Sequence, residues 1–255
     1  MKRIVDLFTA CGTDQRVMPP TQLYNEGWML RLVLDWYSTY PNTSSPLSFH
    51  RDSRWYSEAL LPTHFRARDR GDQKAESYTH ADGVIGHFDI LDGRGDVRLR
   101  ESVTQFVVTE AKMFSGLSAG TKWAKTFDQA ARNVACIAEF FHAANRSPDT
   151  IETLGFVVVA PESQINSGVF EDFVTKASIL AKVQARVSDY NGEKDIWMQE
   201  WFLPTLNKID LNVLSWESII CDISTQDTAS GEELNVFLQT CLQFNRPRVL
   251  MGKGT

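Results

Sequence analysis

A mixed α/β fold, a central β-sheet flanked by α-helices, is the class this sequence predicts, and three stretches predict it. Residues 79–112 hold two runs rich in Val, Ile, Phe and Thr on either side of D-G-R-G-D, the pattern of paired strands. L-G-F-V-V-V-A-P at 154–161 is a continuous apolar run bounded by turn signals, which suits a strand buried on both faces. Between them, from Trp123 to Phe141, apolar residues recur at helical spacing.

The rest of the chain supplies the flanking helices. Residues 1–20 end in Met18-Pro19-Pro20 and read as a linker-like entry. Thr21 is placed to cap a helix over residues 22–40, with Leu23, Trp28, Leu30, Val33, Leu34 and Trp36 as its apolar content. Y-P-N-T-S-S-P-L-S is a loop, a second helix is expected over 53–61, and 62–78 is a polar segment rich in Arg, Asp and Gly. After S-G-L-S-A-G, Thr121 can cap the next helix, whose face of Trp123, Phe127, Ala130, Ala131, Val134, Ile137, Ala138 and Phe141 opposes Lys122, Lys125, Gln129, Arg132 and Cys136. Helices over 167–190 and 195–206, a strand beginning at Leu211 that Trp216-Glu217 closes, and a helix over 232–244 capped by Ser230 complete the order. Such an order reads as one domain over 1–255: N-terminal helices within 21–61, a core over 79–161, and C-terminal helices and strand over 167–246.

Composition narrows the class. Apolar residues at 43% and charged residues at 23% are those of a folded globular protein, which removes disordered and low-complexity readings. No apolar run approaches the ~18 residues of a membrane span. The N-terminal M-K-R-I-V-D-L carries Asp6 and makes a poor signal peptide. Cys11, Cys136, Cys221 and Cys241 are scattered without zinc spacing, as expected for reduced thiols in a cytoplasmic protein. A net charge of −6 argues against capture of nucleic acid by bulk electrostatics. Local basic groups are present all the same, in R-A-R-D-R (Arg66, Arg68, Arg70) and in Lys122, Lys125 and Arg132.

The chemistry concentrates between Thr79 and Arg132. On the second strand Phe106, Val108, Glu110 and Lys112 share one face, so a carboxylate and an ammonium project together from its end. On the first, Asp82, Val84, Gly86 and Phe88 share a face, while Ile85, His87 and Asp89 take the other. If Asp82 lies opposite Glu110 the connection is centred near residue 96, slightly beyond the Asp-Gly signal, and a bulge or offset is required. Asp82 is therefore the expected second carboxylate and Asp89 the reserve. Two acids able to share a divalent metal, with a lysine beside them, form a site for cutting phosphodiesters.

H-A-D-G-V-I-G, then V-V-T-E-A-K, then a helix carrying D-Q-x-x-R, resembles the PD-(D/E)XK nuclease superfamily. The match lies within 79–132, and Ala81 stands where that family often has proline. The resemblance implies a restriction-endonuclease-like fold and a metal-dependent nuclease, acting on DNA in a restriction or phage-defence setting. It implies Mg²⁺, or Mn²⁺ in its place, held by Asp82, Glu110 and the Ala111 backbone carbonyl, with Glu26 of the first helix as a further candidate ligand. Lys112 would orient the attacking water, Gln129 would reach the metal site, and Lys122, Lys125 and Arg132 would hold phosphates. Asn133 stands where a tyrosine often follows the glutamine, a departure from the exonuclease-type branch. Paired cuts in duplex DNA would call for a homodimer.

Other chemistries find no motif. The chain has no G-x-x-x-x-G-K-[ST], no G-x-S-x-G and no H-E-x-x-H; His50, His64, His80, His87 and His142 show no zinc-ligand spacing. The competing reading is a non-catalytic subunit that keeps the fold and binds nucleic acid or a partner protein, which the acidic net charge favours.

Overall fold

A computed structural model describes residues 2–41, 44–76, 78–91, 93, 95–120 and 124–246. Its elements are, in chain order, α1 (Lys2–Ala10), α2 (Glu26–Thr39), β1 (Arg54–Leu61), β2 (Thr79–Gly86), β3 (Phe88–Ile90), β4 (Val97–Leu99), β5 (Gln105–Ala111), α3 (Gln129–Ala143), β6 (Thr153–Ala160), α4 (Glu162–Asn166), α5 (Lys176–Ser188), α6 (Asp195–Trp197), α7 (Leu203–Lys208), β7 (Asp210–Ser215), α8 (Trp216–Gln226) and α9 (Thr228–Asn245). A π-helical turn, Met198–Phe202, joins α6 to α7.

The protein is an α/β protein built on a five-stranded mixed sheet, order β1-β2-β5-β6-β7. β1, β2 and β5 pair antiparallel, whereas β5, β6 and β7 pair parallel. β5 thus has an antiparallel neighbour on one side and a parallel one on the other. Helices cover both faces. Phe106, Val108, Phe156 and Val158 point toward α3 and α5, while Val107, Val157 and Val159 point toward α2, α8 and α9. β5 and β6 are buried nearly throughout, as strands covered on both faces must be.

Several local expectations differ from the structure. R-W-Y-S-E-A-L-L is the edge strand β1 rather than a helix, and its pairing with β2 from Arg54↔Gly86 to Leu61↔Thr79 outweighs the helix-like clustering of its apolar residues. Asn25, not Thr21, caps α2, its side chain accepting from Trp28 N at 3.0 Å. Residues 2–10, expected within a linker-like entry, form α1. The glycine-rich turn does not join β2 to β5 directly; it lies at the tip of a separate hairpin, β3–β4, inserted between them. Gly86 makes that insertion possible. Its φ of 147° lies outside the range of L side chains, and a Cβ there would sit 2.1 Å from the Gln105 carbonyl oxygen.

Thr121, Lys122 and Trp123 lie outside the described residues; α3 begins at Gln129, with Asp128 capping it through Ala131 N at 3.0 Å. Cys136, expected on the polar side, is buried, because the helix is covered nearly all round. Residues 167–175 are turns before α5, and Trp216 begins α8 under a Ser215 cap instead of closing a strand. Asp227 caps the last helix in place of Ser230, its side chain accepting from the Ser230 N–H. Among the described residues no helix is long and apolar enough to cross a membrane.

Candidate active site

β2 and β5 pair from Gly86↔Phe106 to Gly83↔Thr109. One step further in that register brings Asp82 beside Glu110. There the ladder ends: Lys112 N donates to Val159 O on β6, so the neighbouring Ala111 N–H points to the opposite side. It finds the Asp82 Oδ2 atom at 2.8 Å, a side-chain carboxylate in the place of a ladder carbonyl. Asp82 is fixed by that bond at the parting of the two strands.

Glu110 is fully buried, a location that demands partners for both of its oxygens. Oε2 accepts from Gln129 Nε2 at 2.6 Å and from Lys112 Nζ at 3.2 Å; Oε1 accepts from Asn133 Nδ2 at 2.8 Å. The Gln129 amide is oriented by its other end, since its Oε1 accepts from Ser118 N at 3.1 Å. Lys112 Nζ also lies 3.9 Å from Asp82 Oδ2, so one ammonium stands between two carboxylates. Its backbone is pinned on both sides, with the carbonyl accepting from the buried Trp216 Nε1 at 2.9 Å. Burial, then the Asp82 charge, pushes the Glu110 carboxyl well above the usual carboxylate range, with Lys112 opposing both.

Asp82 opens onto a cleft of about 370 Å³ lined also by Glu26, Glu58, Arg31, Asn25 and Trp28. Glu26 is thus on the Asp82 side of the sheet end, in the first turn of α2. Glu58, which sequence reasoning passed over, sits on β1 with a positive φ of 57°. Arg31 reaches it at 3.4 Å while donating to Ser57 Oγ at 2.9 Å. A non-glycine residue held in that region is uncommon and gathers where the surroundings over-determine it.

The other expected residues are placed differently. Asp89 lies on the β3–β4 hairpin and accepts from Arg100 Nε at 2.8 Å, away from the sheet that carries Glu110. Arg132 is folded inward, 17% exposed, against Glu76 at 3.7 Å, and Arg186 flanks the same carboxylate at 3.7 Å. Lys125 is exposed on the turn preceding α3, and Lys122 falls outside the described residues. Besides Glu58, two contributors were missed. Asn133 follows Gln129 by four residues, which on a helix is the same face, a spacing that could have identified it. Trp216, 104 residues from Lys112 in sequence, left no such signal.

The donor set suits a hard cation: carboxylates of Asp82 and Glu110, with the Ala111 carbonyl on the strand edge that Asp82 faces. Compared with known proteins, the chain matches no family model, no curated protein and no solved structure.

Proposed function

We propose that this chain is a metal-dependent nuclease that hydrolyses phosphodiester bonds, with DNA as substrate and a restriction-endonuclease-like fold. The observation that carries the reading is Lys112 Nζ between Glu110 Oε2 at 3.2 Å and Asp82 Oδ2 at 3.9 Å, where an antiparallel and a parallel strand pair meet on β5. Asp82, Glu110 and the Ala111 carbonyl would hold Mg²⁺, which when bound lowers the pKa of water and polarises the scissile phosphate.

The remaining work falls to the chain. Lys112 orients the attacking water and sets a positive charge beside the phosphoryl oxygens as negative charge grows on them. Gln129 and Asn133 keep the Glu110 carboxylate facing the site, and Asp82 is kept in place by Ala111 N–H. Lys125 is available to a phosphate of the strand.

A second reading, a non-catalytic subunit that binds nucleic acid or a partner, is favoured by the complete burial of Glu110 and by the net charge of −6. Cleavage of plasmid, linear duplex and single-stranded DNA with Mg²⁺ or Mn²⁺, wild type beside Lys112→Ala, separates the two. Metal-dependent cutting that the variant loses supports the nuclease. Nucleic acid bound but uncut by the wild type supports the subunit.

A further inference from the structure

Toward its C-terminal end α3 carries a second cluster. Glu139 and His142 lie three residues apart and leave the helix on one face. His64, in the segment after β1, meets them there. His64 Nδ1 and His142 Nδ1 approach the same atom, Glu139 Oε2, at 2.8 and 2.9 Å. Among the described residues this is the group whose three ligand atoms all lie within 4.8 Å of one another.

The cluster is built rather than incidental. The His64 ring stacks face to face on Trp197 at 4.6 Å, and His142 packs on Trp201 at 5.2 Å. Those walls come from the helical segment 195–208, so three separate parts of the chain hold the two rings and the carboxylate. Side-chain exposures of 16% for His64, 11% for Glu139 and 38% for His142 leave one open corner, at His142.

We propose that His64, Glu139 and His142 bind a late first-row divalent ion of the Zn²⁺ type, through two imidazole Nδ1 atoms and one carboxylate oxygen, with water in the fourth position. Imidazole nitrogens select such an ion over Mg²⁺ or Ca²⁺, and two imidazoles with one carboxylate are a recurrent zinc ligand set. Ligands ~2.0–2.2 Å from a tetrahedral ion stand roughly 3.4 Å apart, so each ring need withdraw from the carboxylate by only about half an ångström. An ionised carboxylate can only accept, so without the ion each Nδ1 donates its own proton to Oε2. On binding, a neutral ring moves its proton to Nε2 and a protonated ring releases one to solvent.

The ion would fasten the start of the polar segment 62–78, with Arg66, Arg68 and Arg70, to the helix that also carries Gln129. From Gln129 to Glu139 is roughly 15 Å along the axis, so this site is separate from the carboxylate pair of Asp82 and Glu110 and does not depend on the nuclease reading.

The test is titration of the chelator-stripped full chain, in excess Mg²⁺ to keep the Asp82 and Glu110 site occupied, with Zn²⁺ by calorimetry and with Co²⁺ by visible absorption. The panel is wild type, Asp82→Asn, and the double variant His64→Gln with His142→Gln. Wild type and Asp82→Asn are expected to bind one equivalent of Zn²⁺, to gain the absorption of tetrahedral Co²⁺, and to melt at higher temperature with Zn²⁺ present. The double variant should lose all three responses. His142→Gln alone, at the exposed corner, serves if the double variant fails to fold, and weakened binding there supports the site. Failure of the wild type to bind at micromolar Zn²⁺, or equal binding by the histidine variants, would overturn it.

Discussion

Asn133 Nδ2 donates to Glu110 Oε1 at 2.8 Å, from α3 to β5, on a carboxylate with no exposure to water. Asn133→Ala removes that donor without offering solvent in its place. The expected loss is about 1–3 kcal/mol of stability, since a buried acceptor is left with fewer partners. Urea unfolding of metal-free wild type and variant measures it; an unchanged midpoint would show that water reaches Glu110 after all.

Lys112 is the charge between two acids, so under the nuclease proposal its removal should act on chemistry before it acts on binding. Lys112→Ala should lower cleavage by about 10²–10³-fold, the size of losing one preorganised charge donor, while Mg²⁺ still binds. Asp82→Ala or Glu110→Ala should abolish both. Single-turnover cleavage beside Mg²⁺ titration distinguishes these patterns. Greater damage from Asp89→Ala would refute the placement of the site.

Gly86→Ala tests the kink before the inserted hairpin. A φ of 147° and a Cβ 2.1 Å from a backbone oxygen leave the variant no relaxed conformation. A loss of about 3 kcal/mol or more follows from strain and displaced backbone together. Chemical denaturation is again the readout, and a loss below about 1 kcal/mol would mean the kink relaxes freely.

Thiol chemistry should separate one cysteine from three. Cys11, Cys136 and Cys241 are buried while Cys221 is exposed. Burial pushes the Cys136 and Cys241 thiols up to about 12, so neither offers thiolate near neutral pH. Mass spectrometry after a short alkylation at pH 8 should find one label on the native chain and four after denaturation.

Tyr37 gives an alkaline signature. It is buried, donates to Asp222 Oδ2 at 2.9 Å, and burial raises its phenol above the ordinary value of 10.0. A raised folded value means that its contribution to stability is whole below pH 10 and is lost as pH rises toward the folded value. Absorbance at 295 nm should show Tyr37 ionising only with unfolding, and Tyr37→Phe should flatten the alkaline loss of stability.

Much of the carboxylate pair was legible in the chain because a strand's two-residue period depends on little else. That period alone puts Phe106, Val108, Glu110 and Lys112 on one face. The pairing of Asp82 with Glu110 was only a condition, with the connection then centred near residue 96, and it is the register that β2 and β5 adopt. The same stretch hid the β3–β4 hairpin, because a two-strand register fixes where a connection is centred and says nothing of what fills it. β1 went unseen because an edge strand is decided by its neighbour, β2, rather than by its own eight residues. Arg132 was assigned to the surface by its helical position. Its pairing with Glu76 depends on where 62–78 folds back, which no local period encodes. The His64 cluster joins residues 75 apart and was invisible to any spacing rule.

β5 is the seam along which an antiparallel half and a parallel half of the sheet are sewn; Glu110 lies on the seam itself and Asp82 on its antiparallel neighbour β2. The last stitch on the antiparallel side is a side chain rather than backbone. A ligand that bridges the two carboxylates would therefore act as a clasp on the sheet itself, and occupancy of the site should register as slower amide exchange along β2 as well as in chemistry.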